Sequence, residues 1–162
     1  MSKEQTKDLL KFLQPFSENN KELTLWLREF VWDLYPQSNE LIYDNYNALA
    51  LGWSTTDKVT HLFCTMAVYE KYLHFGFYFG AQITDPDKIL LGKGNQYRYI
   101  MVEKKADFPK TYIKKLLKES YANALAKMKN QDQPIKGKTI IKSISPTKKR
   151  PGMITQKKKK SA

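Results

Sequence analysis

The feature that most constrains the fold is the stretch KYLHFGFYFG at residues 71–80, in which large apolar side chains occupy every second position. One face of an extended chain would carry Leu73, Phe75, Phe77 and Phe79. The opposite face would carry Tyr72, His74, Gly76 and Tyr78. Side chains of a β-strand alternate between two faces, so this pattern predicts a strand with one face in a core.

Other segments predict the rest of a sheet. The apolar segments NALALGW (residues 47–53), HLFCTMAVY (61–69) and NQYRYIMVE (95–103) predict three further strands, and STTDK between the first two predicts a hairpin turn. The segment SNELIYDNY (38–46) predicts a helical turn. Apolar residues at helical spacing predict a short helix at 5–13, a second over about 17–35, and a third at 107–128 with Asp107 as its N-cap.

This element order predicts an α+β fold. Short loops between strands favour an antiparallel sheet, and helices at both ends of the chain can cover one of its faces. We therefore expect a two-layer sandwich, an antiparallel sheet of about four to five strands with the N- and C-terminal helices packed on one face. A bare second face would favour a homodimer through the sheet.

Charge divides the chain into two parts. The formal net charge is +12, and all sixteen acidic residues lie at or before Asp132, whereas the residues from Gln133 onward carry ten Lys and Arg and no acid. We therefore predict one domain at residues 1–132 and a disordered Lys-rich tail at 133–162. The tail could simply keep the chain in solution, or it could bind nucleic acid through phosphates. Its candidate contacts are Lys148, Lys149, Arg150, Lys157, Lys158, Lys159 and Lys160.

Several classes of protein are excluded or disfavoured. Cys64 is the only cysteine, so the chain can form no internal disulfide and no zinc site of the Cys₄ or Cys₂His₂ type. The first residues lack an apolar segment of signal-peptide length, and no apolar run approaches the roughly 20 residues of a membrane-spanning helix. These observations favour a cytoplasmic protein without a membrane partner.

The segment LLGKGNQYR is not a phosphate-binding loop. Such a loop needs G-x-x-x-x-G-K-[ST] before a helix, whereas Lys93 here lies between two glycines and a strand follows. The preceding TDPDKILLG predicts one helical turn capped by Asp85. Arg98 shares a strand face with Ile100, so it either pairs with a carboxylate such as Asp85 or Glu103, or lies in a pocket.

A pocket around His74, Tyr78 and Arg98 is one alternative, with Asp85 and Lys93 nearby in the sequence. No nucleophile or second catalytic partner accompanies His74, which favours a structural histidine and a protein that is not an enzyme. On a strand His61 and Cys64 would point to opposite faces and could not share a metal ion, whereas on a helix they could; the β-forming residues around them favour the strand. Cys64 is expected to be a small buried apolar residue.

Four carboxylates form a stripe on the second helix. At 100° per residue, Glu18, Glu22, Glu29 and Asp33 fall within about 60° of one another, roughly opposite the apolar arc. Carboxylates bind hard cations and Fe²⁺, although many acidic helix faces are only solvated.

The stretch LHFGFYFGAQITDPDKILLGKGNQYRYIMV resembles the YdhG-like domain family. The shared pattern is an aromatic-Gly pair, Gly80-Ala81, Asp85-Pro86, a Leu-x-Gly-x-Gly segment ending at Gly94, and Arg98 with an apolar residue two positions on. The similarity covers roughly residues 20–128, and Asn95 stands where the family often has Lys. The resemblance implies a frataxin-like sandwich, and some relatives are regarded as iron chaperones for iron–sulfur cluster and haem assembly. It therefore implies a non-enzymatic binding or accessory protein with weak Fe²⁺ binding at the acidic stripe.

Overall fold

The computed structural model describes residues 6–132 and 137–150. Within these ranges the helices are α1 (Thr6–Leu13), α2 (Glu18–Leu34) and α3 (Lys110–Lys127). The strands are β1 (Asn39–Asp44), β2 (Leu49–Ser54), β3 (Leu62–Val68), β4 (Leu73–Phe77), β5 (Arg98–Val102) and β6 (Thr139–Ile144). In this part of the chain, no helix combines the length and the apolarity that crossing a membrane requires.

The six strands form one mixed sheet in the order β5-β4-β3-β2-β1-β6. Neighbouring strands from β5 to β1 are antiparallel, and β6 runs parallel to β1. The prediction of a purely antiparallel sheet of four to five strands is therefore wrong. The segment predicted to be a helical turn forms β1, because its residues pair along their whole length with β2.

The predicted end of the domain at residue 132 is also wrong, because β6 lies beyond it and pairs with β1. Residues 139–144 were expected in a disordered tail, because TIIKSI lies among lysines and lacks a strong apolar face. The strand is stabilised by its ladder with β1, and Thr139 is buried whereas the last three residues are exposed. The parts of the predicted tail at 133–136 and 151–162 lie outside the described residues.

The predicted faces of β4 are confirmed for the core. Leu73, Phe75 and Phe77 are fully buried and pack in one cluster with alternate residues of the other central strands. The same cluster contains buried residues of all three helices, so α1, α2 and α3 cover one face of the sheet. Cys64 also belongs to this cluster, as expected, and burial raises the pKa of its thiol.

The core face of β1 is unusual because it carries two buried carboxylates. Glu40 is fully buried and forms a two-pronged ion pair with Arg28 of α2, with distances of 2.8 Å from Nε to Oε2 and 3.1 Å from Nη2 to Oε1. The Thr139 hydroxyl of β6 donates to Oε1 of Glu40 at 2.8 Å. A charged pair therefore joins α2, β1 and β6 inside the domain.

The connection between β4 and β5 is a tied loop. The Asp85 carboxylate accepts hydrogen bonds from the backbone N–H groups of Ile89 and Leu90 and from the hydroxyl of Tyr112 on α3. The segment forms a turn in which Lys88 has φ of 53°, so the predicted helical turn is wrong, although Asp85 does cap the backbone. Asp107 was the expected N-cap of α3, but it lies in a short 3₁₀ turn and Pro109 occupies the cap position.

Arg98 is held by the same loop. Its guanidinium donates to the carbonyl oxygens of Gly94 and Tyr97 at 2.6 and 2.8 Å, rather than to the carboxylate of Asp85 or Glu103. A Cβ atom on Gly80 would lie 2.5 Å from Cβ of Arg98, so the close approach of the two backbones requires glycine there. These contacts favour the structural interpretation of Arg98.

Candidate functional site

The face of the sheet opposite the helices carries a ladder of stacked rings. We use "aromatic ladder" for Tyr69, Tyr72, His74, Tyr99 and Tyr97. Successive ring centroids along this series lie 4.6, 5.2, 3.9 and 5.4 Å apart, with interplanar angles between 15° and 30°. Because the rings stack on one another, most of their faces are already in contact with a neighbouring ring and are not available to a stacked ligand.

His74 lies in the middle of the aromatic ladder. Its Nδ1 atom is buried and makes no hydrogen bond. Burial lowers the pKa of the imidazole, because charging it would remove the ion from water among uncharged phenol rings. His74 is therefore a neutral ring packed within the aromatic ladder.

The lowered pKa of His74 predicts a pH dependence of stability. Between the folded pKa and the unfolded value of about 6.5, the unfolded chain binds more protons, so the free energy of unfolding rises with pH across that window. We expect His74→Phe to remove the part of this increase in unfolding free energy that His74 causes. Denaturant unfolding at a series of pH values from 5 to 8 measures it, with Tyr72→Phe, another conservative change in the aromatic ladder, as the matched control. If the free energy of unfolding changes with pH in the same way in His74→Phe as in wild type, His74 is not the source of the increase.

A shallow groove lies beside the ladder on the same face, with a volume of about 240 Å³. It is lined by Tyr43, Asn45, Ala50, Leu51, Gly52, Val59, Leu62, Thr65 and Tyr78. We call this set the sheet-face groove.

The chain builds the groove from small residues in the middle and larger ones around them. On this face of β2 the half-buried Ala50 lies in the floor of the groove, and the buried Gly52 follows two residues later. Tyr43 projects from β1 and Thr65 from β3 on either side. Leu62 lies over Gly52, where a Cβ atom would be 2.7 Å from its Cδ2 atom.

The hydroxyl oxygens of Tyr43 and Thr65 are buried beneath the surface of the groove. Thr65 interacts with the phenol of Tyr97 in the aromatic ladder: burial raises the pKa of Tyr97, and a hydrogen bond with Thr65 acts in the opposite direction. The surface that the groove offers to a ligand is therefore mainly apolar.

The groove carries no charge. None of the nine lining residues is Asp, Glu, Lys, Arg or His. Burial, with a smaller effect from Tyr78, raises the pKa of the Tyr43 phenol, so it remains protonated near neutral pH. The arrangement can therefore bind a neutral molecule through apolar contacts.

The predicted pocket residues do not meet in one place. Tyr78 lines the sheet-face groove, and His74 lies in the ladder. Asp85 and Arg98 hold the loop between β4 and β5, and Lys93 is exposed in that loop. Only Tyr78 of these five therefore belongs to the groove.

The acidic stripe is exposed along α2. Glu18 pairs with Lys21 at 3.0 Å and Glu22 with Lys105 at 3.3 Å, while Glu29 and Asp33 lie further along the same surface. Within residues 6–132 and 137–150, no group of three or more His, Cys, Asp or Glu side chains is placed to hold a metal ion. Fe²⁺ binding by the stripe thus gains no support from the arrangement of its side chains.

Two of the predicted nucleic-acid contacts are part of the folded domain. Arg150 and Lys148 both pair with the Asp44 carboxylate, and the Arg150 side chain is only 3% exposed. Arg150 also donates to the carbonyl oxygens of Asn45 and Tyr46, so it fixes the chain after β6 against β1. Lys149 is exposed, and Lys157, Lys158, Lys159 and Lys160 lie outside the described residues.

A buried Thr-His-Asp series lies at the end of the sheet where β2 connects to β3. Oγ1 of Thr56 is 2.7 Å from Nδ1 of His61, and Nε2 of His61 is 3.7 Å from Oδ2 of Asp132. Thr56 is 1% exposed and its hydroxyl also accepts from the backbone N–H of Lys58, so no substrate can reach it as a nucleophile. The series holds the residues after α3 against the hairpin between β2 and β3.

The sequence analysis found one groove residue and missed the others. Tyr43 was placed in a helical turn, and Ala50, Gly52 and Thr65 carry no motif. The available signal was the pair of small residues two apart in β2, which share a face and leave room above the sheet.

Comparisons with protein-family models, with curated proteins and with solved structures find no match to this chain. The fold and the site define a six-stranded, helix-covered α+β domain with an open aromatic face.

Proposed function

We propose that this chain is a non-enzymatic binding protein that takes a small molecule in the sheet-face groove. The observation that carries the proposal is a concave, uncharged and mainly apolar groove of about 240 Å³ on the face of the sheet that the helices leave uncovered. Ligand sites are concave and mostly apolar, with a few polar groups that fix orientation. A volume of about 240 Å³ is suited to a small ligand of one or two rings.

Binding is a better account of the groove than catalysis. A general base needs a pKa near the working pH, whereas burial moves the pKa of Tyr43 in the opposite direction. The lining residues include no carboxylate, imidazole, amine or thiol. The family resemblance supports the same class of function, since it implies a binding or accessory protein.

Iron handling at the acidic stripe remains a prediction of the resemblance and is not the function we propose. Two of its four carboxylates are paired with lysines, and the four extend along one exposed face. Nucleic-acid binding also remains a prediction. It would rest on Lys149 and the residues beyond Arg150.

A matched pair of alanine substitutions tests the groove. Ala50 and Ala67 are cross-strand partners on the same face, and only Ala50 lines the groove. We expect neutral one- and two-ring fragments to shift the amide NMR signals of Gly52, Leu62 and Thr65 in the full chain, with dissociation constants of about 1 mM or lower, that is about −4 kcal/mol. Ala50→Leu should abolish these shifts because its side chain fills the floor.

Ala67→Leu is the control and should keep them. Fragment-induced shifts that survive in Ala50→Leu, or that cluster away from the groove, would show that the site lies elsewhere. A library without any fragment that perturbs these three amides would contradict the proposal itself.

A further inference from the structure

We propose that the exposed face of α3 binds the phosphate backbone of double-stranded nucleic acid through four lysines. These are Lys110, Lys114, Lys115 and Lys118, and we call them the basic face. The basic face belongs to the layer of helices, whereas the sheet-face groove lies on the opposite side of the sheet. The inference therefore goes beyond the function proposed for the groove and does not depend on it. It also differs from the tail contacts predicted from the sequence, which begin at Lys148.

Charge is distributed unevenly within the folded domain. Residues 6–103 contain nine Lys and Arg and twelve Asp and Glu, so their formal charge is −3. Residues 104–132 contain eight Lys and three Asp and Glu, so their formal charge is +5. The small net charge of the domain is therefore the sum of an acidic part and a basic part, and the basic part is centred on α3.

The helical period brings the four lysines to one side of α3. At about 100° per residue they fall within about 140° of one another. The buried residues of the helix fall on the other side, at Ile113, Leu116, Leu117, Ser120 and Ala124. All four lysines are exposed, and no acidic residue lies between Lys110 and Lys118 in the sequence. This side of the helix therefore presents charge of one sign to the solvent.

The charges of the basic face are available to a partner. Within residues 6–132 and 137–150, no carboxylate lies within ion-pair distance of these four lysines. Glu119, on the same helix, accepts hydrogen bonds from the backbone N–H and the hydroxyl of Thr84 instead. Like charges four residues apart on a helix repel one another, as Lys110, Lys114 and Lys118 do, so a bound anion would relieve the repulsion.

The dimensions of the basic face suit a polyanion. Lys110 and Lys118 are about 12 Å apart along the helix axis, and a nucleic-acid duplex carries one negative charge per about 1.7 Å of its own axis. Several phosphates can therefore meet the four lysines at once. Lysine binds phosphate as a point charge and does not read base edges in this way, so we expect binding that is independent of sequence.

The other side chains of α3 favour a duplex over a single strand or a membrane. Binding of single strands uses aromatic rings on which bases stack, but Tyr112 donates to Asp85 and Tyr121 stacks on the ring of Tyr35. A helix that lies in a membrane surface needs a broad apolar side to insert. Leu125 is the large apolar side chain that α3 exposes, so the helix has little to insert.

Fluorescence anisotropy of a labelled DNA duplex of about 20 base pairs tests the assignment with the full chain at salt concentrations from about 50 to 200 mM. The face variant carries Lys114→Gln, Lys115→Gln and Lys118→Gln. The matched control carries Lys7→Gln, Lys71→Gln and Lys93→Gln, which are exposed lysines outside α3 and cause the same change in net charge. A tail variant carries Lys157→Gln, Lys158→Gln, Lys159→Gln and Lys160→Gln. The amide NMR spectrum of each variant confirms that it is folded.

We expect the face variant to bind the duplex about tenfold more weakly than wild type at the lowest salt, and the control to stay within about twofold. Because each phosphate contact contributes about 0.9 to the slope of log K against log salt concentration, the face variant should lower the steepness of that slope by about 2–3. The result that supports the inference is this loss in the face variant, whatever the tail variant does.

Four results would overturn the inference. Equal weakening in the face variant and the control would show that only net charge matters. Wild-type affinity in the face variant, together with a loss in the tail variant, would place binding on the tail. Tighter binding of the corresponding single strand would exclude the duplex as the preferred partner. Face-dependent binding to vesicles that contain phosphatidylserine, without binding to the duplex, would identify a membrane surface instead.

Discussion

Ending the chain at Asp132 is expected to lower the free energy of unfolding by at least about 3 kcal/mol, because three groups of contacts disappear together. The parallel ladder between β1 and β6 is lost, which leaves β1 as an exposed edge. Glu40 loses the hydroxyl of Thr139, and Asp44 loses both Lys148 and Arg150. Removing partners from buried charges costs about 3–5 kcal/mol where the charge stays buried.

Thermal unfolding of three chains measures this effect: residues 1–132, residues 1–150 and the full chain. For a domain of this size, about 3 kcal/mol corresponds to a fall in Tm of roughly 6–12 °C. The chain of residues 1–150 is the control, since it keeps β6 and Arg150, and we expect its Tm to match that of the full chain. If residues 1–132 unfold at the same temperature as residues 1–150, β6 is not part of the stable domain.

The central sheet was predictable from the sequence because its pattern is local. In β4 the alternation of Leu73, Phe75 and Phe77 with His74 and Gly76 follows directly from burial of one face. The apolar segments of β2, β3 and β5 lie between turn residues, so their strands could be placed without knowing their partners. Helices α2 and α3 followed from helical periodicity in the same way.

The two strands β1 and β6, which are neighbours at one side of the sheet, were not predictable, because the core face of β1 carries charged residues. In β1 the core face carries Glu40 and Asp44, which in isolation indicate a solvent-exposed segment. Each is neutralised by a residue far away in sequence, Arg28 for Glu40 and Arg150 for Asp44. A pattern of hydrophobicity cannot show that a carboxylate is buried when its cation comes from another element. Since β6 pairs with this strand alone, the error at β1 extended to the tail.

The groove was missed for a related reason. Ala50 and Gly52 are too small to give a hydrophobicity signal, and the other lining residues come from different strands and loops. Tyr78 was identified because it shares a face with His74 in one local pattern. The acidic stripe of α2 was predicted correctly as a surface feature, yet an exposed stripe does not by itself converge on an ion.

We expect Arg28→Ala to lower the free energy of unfolding by about 3–5 kcal/mol, more than any other single substitution at the charged side of the core. It leaves Glu40, which is fully buried, with the hydroxyl of Thr139 in place of an ion pair. The guanidinium also lies 4.8 Å from the ring of Trp32, so truncation removes packing as well as charge. Urea unfolding monitored by tryptophan fluorescence gives the free energy of unfolding.

Two further variants separate the ion pair from the loss of packing. Arg28→Lys keeps the charge but not the fork that meets both oxygens of Glu40, so we expect it to lose less than Arg28→Ala. The double variant Arg28→Met with Glu40→Leu removes both charges and keeps most of the volume, and it should recover much of the stability, because apolar replacement of a buried pair is often neutral. A loss of unfolding free energy below about 1 kcal/mol for Arg28→Ala would mean that the native protein does not depend on Arg28 to keep Glu40 buried. In that case the pair would not be what brings α2, β1 and β6 together.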